Sequence, residues 1–333
     1  MDLDAFVSEH GAEWNRLQAL AGRRRKKLTA AEVDELLALY RRTATHLSVV
    51  RSRAADPTLV AWLSRLVLQA RSAVTPPTGF SAAAVGRFFT VSFPLEIYRS
   101  ARWVLGVGAA FVTLTGVLIT MVVNDPNIAL AFLNADEIQQ LVDHDFEAYY
   151  SSAPPENFAT LVWANNSLVS AICLAGGVLV LPAVYFLWQN VLNTGIVGGV
   201  MVGNGRADAF FGLILIHGML ELTCVFIAGG VGLRIAWAFI APGPLRTRAQ
   251  SLAAAGRSGI VVALGLVAPL AVSGLVEGFV TPLPVPVVFK LAFGFLVWAA
   301  FVGYVALGGY RAASDGQTSD VAAHEREALA PAV

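Results

Sequence analysis

The sequence predicts an all-α, polytopic integral membrane protein of about six spans, with a small helical domain ahead of the membrane part. Three observations predict it. Hydrophobic residues make up 56% of the chain and charged residues 14%, against about 25% charged in a soluble globular protein. The apolar residues collect in long runs, and a helix of ~20 residues at ~1.5 Å per residue crosses the ~30 Å hydrocarbon layer. The charges are also segregated: 15 of the 23 basic residues lie in the first 102 positions, whereas 124–165 has none and holds Asp125, Asp136, Glu137, Asp143, Asp145, Glu147 and Glu156. By the positive-inside tendency, both termini face the cytoplasm and the acidic loop lies outside the cytoplasmic (inner) membrane.

Residues 1–79 read as a cytoplasmic helical domain. Trp14, Leu17 and Leu20 recur at helical spacing, Thr29-Ala-Ala-Glu32 is a capping-box signature, and Val33, Leu36, Leu37, Tyr40 and Leu47 form one apolar stripe. Pro57 suits the first turn of a third helix with Leu59, Trp62, Leu63 and Leu66. A bundle this small is marginal by itself and is expected to lean on the membrane or a partner. The first 30 residues hold the basic run Arg23–Lys27 but no apolar core before it, so no cleavable signal peptide is expected. Thr75-Pro-Pro-Thr-Gly79 marks a turn, and 80–102, with Phe88, Phe89 and Phe93 among Arg87, Arg99 and Arg102, reads as an interfacial amphipathic segment.

The transmembrane domain is expected over 103–310, with spans near 103–123, 168–188, 190–204, 209–240, 259–280 and 285–309, an external loop at 124–164 and a disordered cytoplasmic tail at 311–333. The span at 190–204 is short, and a re-entrant element is its alternative. Arg246, Arg248 and Arg257 put the following loop inside, so an odd number of crossings separates it from the acidic loop. Three crossings give six spans. Trp103, Trp163, Trp188 and Trp237 are expected near span ends, and Lys290 is expected to snorkel. Gly195, Gly199 and Gly203 form a stripe suited to close helix packing, within the chain or in a homodimer, and Gly229 and Gly230 add a second small-residue contact. Cys173 and Cys224, both in apolar spans, read as buried hydrophobes. Asn134-Ala-Asp-Glu137, followed by Ile138, Leu141 and Phe146, predicts an N-capped amphipathic helix in the loop.

The candidate site is an intramembrane polar cluster. His217 and Glu221 stand one helical turn apart in an apolar run, Glu277 lies near the outer end of the fifth span, Asn165 and Asn166 open the second span, and Asn193 lies in the third. Ionisable groups at membrane depth are costly and mark function or a tie between helices. Four readings stay open: a structural polar network, a proton or ion pathway, a metal site built on His217, Glu221 and Glu277, and hydrolysis. The metal pattern lacks the HExxH arrangement, and no GxSxG nucleophile motif or Walker A loop is present. No catalytic residue is assigned, no cofactor is expected, and no basic-aromatic surface points to nucleic acid.

The chain resembles the stage II sporulation protein M family of polytopic bacterial membrane proteins. The likeness rests on Glu35–Arg42, Asn165-Asn166, the glycine-rich 190–205 region, His217-Gly-Met-Leu-Glu-Leu222, Ala228-Gly-Gly-Val-Gly232 and Glu277-Gly-Phe-Val-Thr-Pro282. The resemblance implies a membrane scaffold rather than an enzyme, organising envelope or peptidoglycan-remodelling partners. The chain also carries a long Arg-rich cytoplasmic N-terminus, which the sporulation member need not share. The alternative is an ion-coupled transporter or a metal-dependent intramembrane enzyme using His217, Glu221 and Glu277.

Overall fold

The computed structural model describes residues 3–23, 28–53, 56–74, 82–151 and 153–319. These are overwhelmingly helical, with no strand among them, and divide into two compact units that part near residue 82. Most of the Arg23–Lys27 run, the turn at 75–79 and the tail beyond 319 lie outside the described residues.

The N-terminal unit is three helices, α1 (Leu3–Ala21), α2 (Ala30–Arg53) and α3 (Pro57–Val74). The capping box opens α2: the Glu32 amide donates to Thr29 Oγ1 at 3.3 Å and the Thr29 amide to Glu32 Oε2 at 2.8 Å. Asp56 caps α3, accepting from the Thr58 amide at 2.7 Å, and Pro57 occupies the first turn. Trp14, Leu17 and Leu20 meet Leu36, Leu39, Leu47, Val50, Leu63, Leu66 and Val67 in one core. Val33 and Leu37 of the expected stripe are only half-buried, and Leu39 and Thr43 take the inner positions instead.

The second unit begins with α4 (Ala82–Arg87), a π-helical turn at Phe88–Ser92, and α5 (Phe93–Arg99). Of the segment expected to lie at the interface, residues 82–91 are largely exposed, whereas the residues that follow are buried in the helical packing. Phe93, Leu95 and Ile97 are at most 4% exposed, because α5 inserts between later helices. Then come α6 (Ala101–Asn124), the short loop helices α7 (Asn127–Leu130), α8 (Ala135–Gln140) and α9 (Phe146–Ala148), and the long helices α10 (Pro155–Gly176), α11 (Leu181–Gly203), α12 (Ala207–Ile240), α13 (Arg248–Leu275) and α14 (Val287–Ser314). Among the described residues, five segments are long and apolar enough to cross a membrane: Ala101–Asn124, Pro155–Leu179, Ala207–Ile240, Arg248–Val280 and Val287–Ser314. The protein is therefore an all-α, multi-pass membrane protein.

The expected second span at 168–188 is corrected. It starts at Pro155 and ends at Leu179, where the chain turns through Gly177–Leu179 and Val180, whose φ is 63°. Pro182 in the first turn of α11 explains the break: it cannot continue α10 but suits a helix start. Trp188 thus belongs to α11, and Trp163 sits within α10, donating to the Val267 carbonyl at 3.2 Å. The expected short third span is a continuous 23-residue helix, long enough to cross, whose Gln189, Asn190 and Asn193 dilute its apolar character. Its connections to α10 and α12 are short, which makes neighbouring helices antiparallel. The last two helices also outrun their expected limits, since Arg248 and Arg257 lie inside α13 and residues 311–314 inside α14.

Helix α12 is central, packing against α6, α10, α11, α13 and α14. Close approach is set by glycine. A Cβ on Gly232 would stand 2.3 Å from the Cys173 carbonyl oxygen, and one on Gly230 would stand 2.7 Å from the Val104 amide nitrogen. Gly229 faces Leu187. Along α11, Gly195 lies on Leu118 and Gly199 on Val122, while Gly203 is looser. The stripe is thus filled by α6 of the same chain, and the matched order of contacts makes α6 and α11 parallel. Cys173 and Cys224 are free and buried.

The loop between α6 and α10 is folded. Asn134 and Glu137 complete a capping box on α8, and a π-helical turn at Leu141–Asp145 follows. Phe146 packs on Met201 and Phe210, and Arg206 pairs with Glu147.

Candidate functional site

His217 and Glu221 share a face of α12 because they are four residues apart. Helix α13 leads into a π-helical turn at Val276–Val280 that carries Glu277, and Asn166 comes from α10. The structure brings these together: the donor atoms of His217, Glu221 and Glu277 lie within 4.8 Å of one another. His217 is 6% exposed and Glu277 4%. His217 Nε2 stands 3.7 Å from Glu277 Oε1, and the Asn166 side chain lies near Glu221. Asn165 is exposed and touches Asn166 at 3.5 Å; Asn193 is exposed on α11 and takes no part. Both fall outside because the corrected α10 and α11 turn them away.

Four partners were missed by sequence reasoning. Ser273 donates to the His217 carbonyl at 3.2 Å, and Thr281 Oγ1 lies 3.5 Å from His217 Nδ1. Tyr150 covers the imidazole at 5.7 Å between ring centroids. Burial, with the charges of Glu277 and Tyr149 nearby, pushes the Tyr150 hydroxyl up from its ordinary value. Lys290 does not snorkel: it is 9% exposed and its ammonium donates to the Thr281 carbonyl at 2.7 Å and the Leu283 carbonyl at 3.1 Å. Thr281 was legible in Glu277–Pro282, where it was read only as part of the motif.

A second polar group sits toward the other end of α12. Arg234 donates to Ser100 Oγ at 2.5 Å and to Glu96 Oε2 at 3.2 Å. Arg99 approaches Glu96 Oε1 at 3.4 Å, and Ser319 donates to the same oxygen. Burial alone raises the Glu96 carboxyl, but hydrogen bonds from Ser319 and Ser258 and the charges of Arg234 and Arg99 outweigh it and hold Glu96 below its ordinary value. The signal was present as a lone arginine in an apolar helix and a lone acid among arginines.

In the N-terminal unit, His10, Glu13 and His46 also place donor atoms within 4.8 Å of one another. There the Trp14 indole donates to His46 Nδ1 at 3.1 Å and Arg42 to Glu13 at 2.8 Å, so the histidine lone pair and one carboxylate oxygen are already engaged. A groove of about 380 Å³ beside α13 and α14, lined by Phe93, Pro269, Val297 and Phe301 among others, is almost wholly apolar and includes none of these polar groups.

A family model described as stage II sporulation protein M matches residues 82–282, more than half of the chain. The chain belongs to the stage II sporulation protein M family. The matched region contains α12, the Glu277 turn and Thr281, so His217, Glu221, Glu277 and the Glu96–Arg234 pair all fall within the stage II sporulation protein M part of the chain. Residues 4–76 match a model described as a domain of unknown function (DUF8413), which coincides with the three-helix unit. No curated protein and no solved structure matches the chain.

Proposed function

We propose that this stage II sporulation protein M family member is a scaffold of the cytoplasmic membrane. It has six crossings and both termini inside, and it organises envelope or peptidoglycan-remodelling proteins. The supporting observation is the folded loop. Phe146 anchors it on α11 and α12, Arg206 pairs with Glu147, and Asp125, Asp136, Asp143 and Asp145 are left at the surface of an ordered framework. A preordered surface binds a partner without the entropy cost of ordering a loop. Its single sign of charge favours a basic protein surface over phosphate-rich polymer. The N-terminal three-helix unit is the cytoplasmic contact in this reading, and the glycine stripe serves internal packing rather than a homodimer.

Co-purification from native membranes in mild detergent tests this. Wall-remodelling or envelope proteins are expected with the unaltered chain. Replacing Asp136 and Asp143 together by Lys should reduce their recovery about tenfold, whereas Glu221→Gln should leave recovery intact and lower only the melting temperature. Equal recovery with the charge-reversed loop would remove the loop from the role.

A further inference from the structure

We propose that His217, Glu221 and Glu277 hold one divalent transition-metal ion of the Zn²⁺ or Mn²⁺ class, which clamps α12 to the end of α13. One imidazole nitrogen with two carboxylate oxygens is a donor set for such borderline cations. Two ligands on a tetrahedral ion with bonds of about 2.1 Å stand about 3.4 Å apart. The 3.7 Å between His217 Nε2 and Glu277 Oε1 is close to that edge, and the 4.8 Å limit on the whole set closes with side-chain shifts of about 1 Å.

The orientation of His217 suits an ion site. Thr281 Oγ1 lies 3.5 Å from His217 Nδ1 and 3.4 Å from the Val276 carbonyl oxygen, so the outer nitrogen has a polar neighbour while Nε2 faces the Glu277 carboxyl group. A proton or a metal ion between Nε2 and Glu277 would satisfy both groups, and the second carboxylate within the same 4.8 Å set, Glu221, favours the ion. This is the arrangement that orients metal-binding imidazoles, with the outer nitrogen tied to a polar neighbour.

Glu277 supplies an independent observation. It is 4% exposed, no hydrogen bond reaches its carboxylate among the described residues, and the nearest imidazole nitrogen is that same Nε2 at 3.7 Å. A buried carboxylate without a donor is costly. The nearby ammonium of Lys290 is committed to two backbone carbonyls and does not relieve it. Glu277 also projects from a π-helical turn, a local rephasing of the helix that is frequent at functional sites.

The test uses the full-length protein in mild detergent, stripped with EDTA and titrated separately with Zn²⁺ and Mn²⁺. One ion per chain is expected by elemental analysis after desalting. Metal at about a hundred times Kd should raise Tm by about 5 °C. Glu277→Gln and His217→Gln should lose the ion, while His10→Gln, which alters the other His–Glu group, should keep it. In EDTA, Glu277→Gln should melt no lower than the unaltered chain, which shows that it folds. Failure of the unaltered protein to bind a stoichiometric ion of either metal overturns the proposal whatever the variants do, and so does an ion retained by Glu277→Gln. Partner recovery is read separately, so the scaffold role and the metal site stand or fall independently.

Discussion

At each end of α12 a buried glutamate meets a basic side chain of that helix, and the two meetings differ in kind. Glu96, 2% exposed, is held by Arg234, Arg99 and Ser319, with Ser100 bridging back from Arg234. Glu277, 4% exposed, faces His217 at 3.7 Å with a second carboxylate beside it. His217 and Arg234 are separated by about 25 Å along the helix at ~1.5 Å per residue, so the two sets share a scaffold but not a field. The Glu96 group is complete in itself and reads as a tie between α5 and α12. The Glu277 group has more acceptors than donors, which is the condition of a cation site.

The largest expected effect is at the complete pair. Arg234→Ala leaves Glu96 buried with a cationic partner gone and should cost about 3 kcal/mol in detergent unfolding, the scale seen when one member of a buried pair is removed. The double variant Glu96→Gln with Arg234→Met should recover much of that loss, because the two changes are coupled. A cost under about 1 kcal/mol for Arg234→Ala would mean that the pair is solvated and that the contrast between the ends is wrong.

Backbone contact allows the contrast to be sharpened at similar cost on both sides. A Cβ on Gly232 would stand 2.3 Å from the Cys173 carbonyl oxygen, and one on Gly278 would stand 2.7 Å from that of Pro155. Each Gly→Ala change should destabilise by about 2 kcal/mol, since backbone must move to admit the methyl. Only Gly278→Ala, which displaces the turn carrying Glu277, should also weaken metal binding. An equal drop in metal content in both would assign the ion to general packing rather than to the turn.

Isosteric neutralisation is the next step down. Glu96→Gln should lower stability, because an anion with several donors becomes an amide with some donors left facing its N–H₂ group. In EDTA, Glu277→Gln should change stability by less than about 1 kcal/mol or raise it, since it removes a buried charge that lacks a donor.

Much of this architecture was legible in the chain. Apolar run length gave the membrane class, the 217/221 spacing placed two side chains on one helix face, and Thr29-Ala-Ala-Glu32 gave a helix start that the structure shows bond for bond. What was not legible depended on where a run breaks. Hydropathy cannot distinguish 168–188 from two helices meeting at Val180, because Gly176-Gly177 and Pro182 interrupt the backbone without lowering apolar content much. That register error carried Asn193 into the candidate cluster. The Glu96–Arg234 pair was missed for another reason: its members are 138 residues apart, so each stood out alone in its own segment with nothing in the sequence to join them.

Acidification produces the smallest effects and separates the units. Desolvation, followed by the charge of His10, pushes His46 below its ordinary 6.5, so the unfolded chain takes up this proton at higher pH than the folded one. The associated stability is complete above pH 6.5 and declines as pH falls below it, because protonation of Nδ1 breaks the hydrogen bond that His46 accepts from the Trp14 indole. Glu96 is also lower in the folded chain, but from an ordinary 4.5, so its contribution persists through that range and declines only below about pH 4.5. Between pH 7.5 and 5.5, after correction for intrinsic exchange rates, hydrogen exchange should therefore accelerate in α1 and α2 and remain unchanged in α5 and the Arg234 turn of α12. Equal acceleration in both would place the acid-sensitive group outside the His46 cluster.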